Sequence, residues 1–126
     1  MLASCATTSQ HQFAEPAGGW QTRTGQLLFR SAKATLIGDV IVRFSNTGDF
    51  DLRFSKGPGL TLLAIREDSS FAEVKGAVAQ RGWSGPIEQA PAQLRSWLGL
   101  RDQFVHEHGK KSFSYQSGTE TFDFRF

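Results

Sequence analysis

Alternation of apolar and polar residues predicts β-strands along most of the chain. In Asp49–Ser55, Phe50, Leu52 and Phe54 share one face, while charged and hydroxyl side chains occupy the other. Gly25 interrupts an earlier strand and is expected to form a bulge or bend. Three other strands are predicted at 21–31, 34–44 and 60–65, and one or two more within 70–80. Residues 112–115 and 121–126 are predicted to form a hairpin. Each would turn one face to a core and the other to water.

A single segment, Ala90–Gly99, has convincing helical periodicity. Pro91 suits the first helical position, and Gly99 suits a C-terminal stop. Leu94, Trp97 and Leu98 share one face at three- and four-residue spacing. At about two and a half turns, this helix is too short to be stable alone in water. It is therefore expected to pack against the sheet.

The predicted sheet has more apolar surface than this helix can cover. We therefore expect a mainly β (α+β) fold, a curved antiparallel sheet or half-barrel with one short covering helix and an apolar, ligand-binding cavity. An edge of the sheet pairing in a dimer would also account for the excess, and the same side chains could form an ordinary packed core. The candidate cavity residues are Phe29, Val42, Phe44, Phe50, Leu52, Phe54, Leu94, Trp97, Leu98, Phe122 and Phe124.

Composition narrows the classes of function. A chain of 126 residues corresponds to one domain, and its single cysteine excludes an internal disulfide. The net charge of +2 is spread without a basic cluster, which does not indicate nucleic acid as a partner. Phenylalanine occurs 11 times and tyrosine once, a bias that suits a dry surface.

The N-terminal residues Leu2-Ala3-Ser4-Cys5 have the form of a bacterial lipobox, which predicts a lipid anchor on the Cys5 thiol. A signal peptide ahead of Met1 is then expected. The polar residues that follow are typical of a flexible tether, so we assign 1–18 to lipobox and tether and 19–126 to a single folded domain. The alternative is that Cys5 is a buried or disordered free thiol.

Several segments together resemble the LolA/LolB-like lipoprotein-carrier family of the bacterial envelope. They are Trp20 with 25–30, 48–54, 57–60 with Ala64-Ile65, and the helix 91–100. The resemblance implies a curved half-barrel closed by helices over a cavity for lipoprotein acyl chains. It also implies a protruding loop that inserts a leucine into the membrane; here that loop is 56–60, with Pro58 and Leu60 as candidates. This chain has only one hairpin after the helix, which implies a shallower or more open cavity.

The resemblance further implies a lipid-anchored protein of the outer membrane that faces the periplasm, with lipoprotein acyl chains or lipids and a periplasmic carrier protein as partners. Ala6 stands where aspartate retains lipoproteins at the inner membrane, so the family rule favours the outer membrane. Binding and release would involve no covalent change and no cofactor. The alternative is a structural or adaptor lipoprotein that binds another envelope protein through its sheet face or edge.

Candidate catalytic chemistry is sparse. His106 and His108 would face the same side of a strand and could share a metal, but no third ligand is apparent, and a solvated polar loop is the simpler interpretation. Asp49 and Asp51 form a carboxylate pair that is better explained by a solvated sheet face than by general acid/base catalysis. A metal-dependent enzyme is the weakest hypothesis, and we expect neither a metal site nor catalysis.

Overall fold

The computed structural model describes residues 11–16, 18–79, 82–107 and 109–126. Short 3₁₀ turns occur at Ala77–Ala79 and Ile87–Gln89, and the remaining elements are strands and two helices. The strands are β1 (Gln21–Arg30), β2 (Thr35–Phe44), β3 (Phe50–Ser55), β4 (Thr61–Glu67), β5 (Phe71–Lys75), β6 (Trp83–Pro86), β7 (Ser112–Ser117) and β8 (Glu120–Arg125). The helices are α1 (Ala92–Leu98) and α2 (Leu100–Glu107).

All eight strands form one antiparallel sheet in the order β6-β5-β4-β3-β2-β1-β8-β7. The order follows the chain from β1 to β6, and the C-terminal hairpin is added on the other side of β1. The sheet is curved but not closed, so β6 and β7 are its edges. The predicted mainly β fold, a curved antiparallel sheet under a short helical cover, is confirmed.

One face of the sheet is buried beneath the helices and forms the core. The period-2 alternation of the strands places their apolar residues on this face, as in β3, where Phe50, Leu52 and Phe54 are all at most 1% exposed. Helices α1 and α2 add Trp97 and Phe104, each 1% exposed. The opposite, outer face carries the charged side chains of the same strands.

Helix α1 ends at Gly99, as the sequence predicts, and a second helix, α2, follows directly and extends the cover. Gly99 keeps right-handed helical angles, and its N–H donates to the Arg95 carbonyl at 3.0 Å. The Tyr115 hydroxyl lies only 2.5 Å from where a Cβ on Gly99 would stand. Gly99 is therefore both the C-cap of α1 and a close-packing position, and His106 lies on α2 instead of in a strand or polar loop.

Gly25 makes no bulge. Its pairing with Val40 in β2 is regular, and the irregularity of this part of the sheet falls at Phe54/Ser55 instead. A Cβ on Gly25 would lie 2.0 Å from the carbonyl oxygen of Arg125. Glycine is needed here because the end of β8 approaches β1 too closely for a side chain.

Part of the predicted tether contacts the outer face of β4 and β5. The His11 ring stacks on Phe71 with centroids 4.5 Å apart and is hydrogen-bonded to the carboxylate of Asp68. Arg66 donates to Glu15 at 3.1 Å and lies over the ring of Phe13. Residues 1–10 and 17 of the predicted tether lie outside the described residues.

Candidate functional site

The predicted cavity residues all lie in one buried cluster between the sheet and the helices. Each is at most 4% exposed. The cluster contains Phe29 of β1, Val42 and Phe44 of β2, Phe50, Leu52 and Phe54 of β3, Leu94, Trp97 and Leu98 of α1, and Phe122 and Phe124 of β8. The sequence thus groups these side chains on the same face, as the structure does.

Their rings pack against one another. The ring centroid of Trp97 lies 4.7 Å from that of Phe29, 4.8 Å from Phe122 and 5.9 Å from Phe54. Farther along the cover, Phe104 makes similar contacts with the aromatic residues of β2, β3 and β8. In this arrangement an acyl chain could reach the cluster only if the helices moved away from the sheet.

The loop expected to insert into a membrane, Lys56–Leu60, protrudes from one end of the sheet. Leu60 is 49% exposed and precedes the first residue of β4, and Pro58 is also exposed. The Lys56 N–H donates to the Leu60 carbonyl at 3.0 Å and closes the turn. The β1–β2 turn, with the exposed Lys33, lies at the same end because Asp39 pairs with Ser55. We call these two turns the loop end.

An open cleft of about 570 Å³ lies over the outer face where β1, β8 and β7 meet. Ile37, 58% exposed, and Leu28 give it an apolar patch, and Arg30, Asp123 and Arg125 give it charges. Phe124 of the core cluster also contributes to its wall. This cleft is shallow and of mixed polarity, and it is separate from the face on which the cavity is predicted.

A second cleft, of about 430 Å³, opens where the junction of α1 and α2 meets the end of β4, and we call it the Glu67 cleft. Glu67 is only 3% exposed, and its Oε1 has no hydrogen-bond partner within the described part of the chain. Burial raises the pKa of Glu67 from its ordinary value of 4.5 to about 9; Arg101 opposes this shift, and Asp102 and Asp68 add to it. The cleft is lined by Glu67, Ser69, Ile87, Glu88, Arg95, Leu98, Gly99, Arg101 and Asp102.

Sequence reasoning missed Glu67, although a signal was present. Leu63, Ile65 and Glu67 are two residues apart along β4 and therefore point to the same, buried face. A carboxyl group at the third position of an apolar row is unusual, since an isolated charge is costly to bury.

The histidine and aspartate candidates have structural roles. His106 Nδ1 lies 2.8 Å from the Asp102 carbonyl oxygen within α2, and His108 falls outside the described residues. Asp49 accepts hydrogen bonds from the hydroxyls of Ser45 and Thr47, both at 3.0 Å, and so closes a turn. Across residues 11–16, 18–79, 82–107 and 109–126, no three His, Cys, Asp or Glu side chains are grouped so that they could hold a metal ion.

Asp51 lies on the outer face among three arginines. Burial raises its pKa, while Arg43, Arg66 and Arg53 act in the opposite direction. The predicted Asp49/Asp51 pair is thus divided between a turn and a charged, half-buried position on the outer sheet face.

The predicted anchor, Cys5, lies outside the described residues. Neither helix in the described part of the chain has the length and apolar character that a bilayer crossing requires. No protein-family model and no curated protein matches the chain.

Proposed function

We propose that the protein is a non-enzymatic, lipid-anchored protein of the bacterial envelope that binds the acyl chains of lipoproteins or lipids and serves lipoprotein localisation to the outer membrane. The observation that carries this proposal is the aromatic-rich face of a curved sheet beneath a short helical cover. A periplasmic carrier protein would hand over the cargo, and Cys5 would hold the protein to the membrane.

Entry of an acyl chain requires the cover to lift. The cover buries five large apolar side chains, Leu94, Trp97, Leu98, Leu100 and Phe104. Exposing them costs about 1.5 to 3 kcal/mol each, or about 7.5 to 15 kcal/mol in total. That is comparable with the whole stability of a small domain, about 5 to 15 kcal/mol. The free protein should therefore remain closed.

The cargo must offset this cost. At about 0.8 kcal/mol per buried methylene, one fully buried 16-carbon chain contributes about 12 kcal/mol, close to the cost of opening. A single fatty acid should then bind weakly, and a diacyl cargo should bind tightly because its second chain adds binding energy with little further opening. The proposal thus predicts a preference for diacyl over monoacyl ligands.

The loop end suits contact with a lipid surface during delivery. Leu60 and Pro58 present apolar groups to solvent, and Lys33 and Lys56 are exposed in the two turns of this end. A lysine near an anionic bilayer contributes about 1 kcal/mol of attraction. These contacts would orient the loop end of the sheet toward the membrane without a second anchor.

Quenching of Trp97 fluorescence tests chain entry directly. The variant W20F/W83F keeps Trp97 as its only tryptophan, at the centre of the proposed binding face. A diacyl lipid brominated along its chains should quench Trp97, and the non-brominated lipid should not. Unchanged Trp97 emission in the presence of bound lipid would overturn the proposal, as would quenching no stronger than that of Trp83 in a W20F/W97F variant.

The second candidate function is an adaptor that pairs through the sheet edge. Among the described residues, no strand pairs with the outer side of β7, so its backbone groups are free to add a strand from a partner. Sedimentation velocity over a range of concentrations distinguishes the two functions. Self-association without lipid uptake favours the adaptor, and a monomer that takes up diacyl lipid favours the carrier.

A further inference from the structure

Glu67 is a buried acceptor that the fold does not satisfy. Its strand neighbours, Phe50 in β3 and Ala72 in β5, offer no side-chain donor. Arg101 is close enough to influence its charge, but the Arg101 side chain donates to the Gly48 carbonyl and to Asp102 instead. Buried polar atoms are nearly always hydrogen-bonded, so an unpaired carboxyl oxygen in the wall of a cleft indicates a missing partner.

The outer part of the same cleft carries a cation that is available to a ligand. Arg95 is exposed, and only its Nε donates within the described residues, to the Ala90 carbonyl at 3.1 Å. Its terminal nitrogens therefore present the planar fork that pairs with phosphate or carboxylate groups. The cleft thus offers an acceptor at its buried end and a guanidinium near its opening.

We propose that the Glu67 cleft binds a zwitterion that carries both a primary ammonium and a phosphate or carboxylate group. The ammonium donates to Glu67, and the anionic group accepts from Arg95. Phosphoethanolamine has this chemistry, whether as a free molecule or as a phospholipid headgroup. This inference does not depend on acyl-chain binding.

Other ligand classes fit less well. A metal ion would need more donors than the grouped side chains of the described residues provide. A simple anion could accept the O–H of a protonated Glu67 but would release no proton on binding, and a quaternary ammonium has no N–H group to donate to Glu67. A sugar hydroxyl could satisfy Glu67 but would not use the charge of Arg95.

Binding is expected to release a proton. Burial keeps Glu67 protonated in the free cleft at pH 7, because its pKa is raised to about 9. An ammonium at Oε1 favours the carboxylate, so the carboxyl O–H breaks, its proton passes to the buffer, and an ammonium–carboxylate pair remains. The other charged groups around the cleft are Asp68 in the loop after β4, Glu88 in the 3₁₀ turn, Arg95 on α1, and Arg101 and Asp102 on α2.

Isothermal titration calorimetry with O-phosphoethanolamine tests the proposal. Titrations at pH 7 in buffers of different ionisation enthalpy should show release of close to one proton per ligand bound. Phosphocholine, which has no N–H group, should bind at least tenfold more weakly. Binding without proton release, equal binding of phosphocholine, or no binding would each overturn the inference.

Two variants assign the ends of the ligand. E67Q should abolish proton release and weaken phosphoethanolamine binding at least tenfold. R95Q changes an exposed side chain and should weaken phosphoethanolamine while leaving ethanolamine, which lacks the phosphate, unaffected. Binding that survives both substitutions would place the ligand elsewhere.

Vesicles distinguish the source of the ligand. Retention on phosphatidylethanolamine vesicles but not on phosphatidylcholine vesicles, lost in E67Q, indicates a lipid headgroup. Binding of free phosphoethanolamine without vesicle retention indicates a soluble zwitterion. Either result is independent of Trp97 quenching, so failure of the acyl-chain proposal and failure of this one are distinguishable.

Discussion

Replacing Glu67 with glutamine should remove a large pH dependence from the stability of the protein. The pKa of Glu67 is about 9 in the folded state because of burial and returns to 4.5 when the chain unfolds. Between these values the folded state holds one more proton than the unfolded state. Stability contributed by the neutral carboxyl is therefore complete below about pH 4.5 and is lost as the pH rises toward 9.

The expected magnitude follows from the width of this interval. Each pH unit in which only the unfolded state is ionised costs about 1.4 kcal/mol. From pH 4.5 to pH 7 the Glu67 contribution to the free energy of unfolding should therefore fall by about 3 kcal/mol. Glutamine has nearly the same shape and does not titrate, so E67Q should gain about 3 kcal/mol relative to the wild type over the same interval.

Urea unfolding at pH 4.5 and pH 7 measures this difference. Subtracting the wild-type free energy of unfolding from that of E67Q cancels groups that titrate equally in both proteins, such as Asp68. Burial raises the pKa of Asp68, but hydrogen bonds from Ser70, His11 and Phe71 outweigh burial and hold this pKa below its ordinary value. E88Q changes an exposed carboxylate of the same cleft and should show little pH-dependent difference. An E67Q difference that is the same at both pH values would refute the neutral state of Glu67.

Three further substitutions test the packing and the loop end. Gly99→Ala should lower the Tm because its Cβ would lie 2.5 Å from the Tyr115 hydroxyl, and Tyr115→Phe should restore it in the double variant; additive losses would contradict this contact. Trp97→Ala should cost about 3 to 5 kcal/mol in urea unfolding, and a loss below about 1 kcal/mol would contradict a packed core. Leu60→Asp should leave the Tm unchanged but weaken co-sedimentation with anionic vesicles, and unchanged co-sedimentation would exclude the loop end as a contact.

The strands could be predicted where strict alternation of apolar and polar residues decides which side chains are buried. Phe50, Leu52 and Phe54 alternate strictly, and period 2 is sufficient to place them on one buried face. Strand β6 escaped prediction because Gly85 and Pro86 are poor strand residues, and they are accommodated by pairing with β5 at the sheet edge. Helix α2 was not predicted because it has few apolar residues and because Gly99, the glycine before it, is a common signal for the end of a helix.

The site was predictable only in part. The sequence grouped Trp97 with Phe29 and Phe122 correctly, because each belongs to an apolar row of its own element. Whether these rings leave a void depends on how they pack in three dimensions, which periodicity does not encode. The Glu67 cleft could not be predicted from the sequence for the same reason, because Arg95 and Arg101 line it only as a result of how the helices are placed on the sheet.

The placement of β8 beside β1 has a consequence for how the chain acquires its structure. Gln26 pairs with Arg125, and Phe29 with Phe122, so the second side of β1 stays open until every other described element has been made. A chain leaving a ribosome would therefore keep that strand, and the aromatic rings beside it, unshielded until the β7–β8 hairpin emerges. Such late closure leaves the emerging chain available to chaperones that hold unfolded segments.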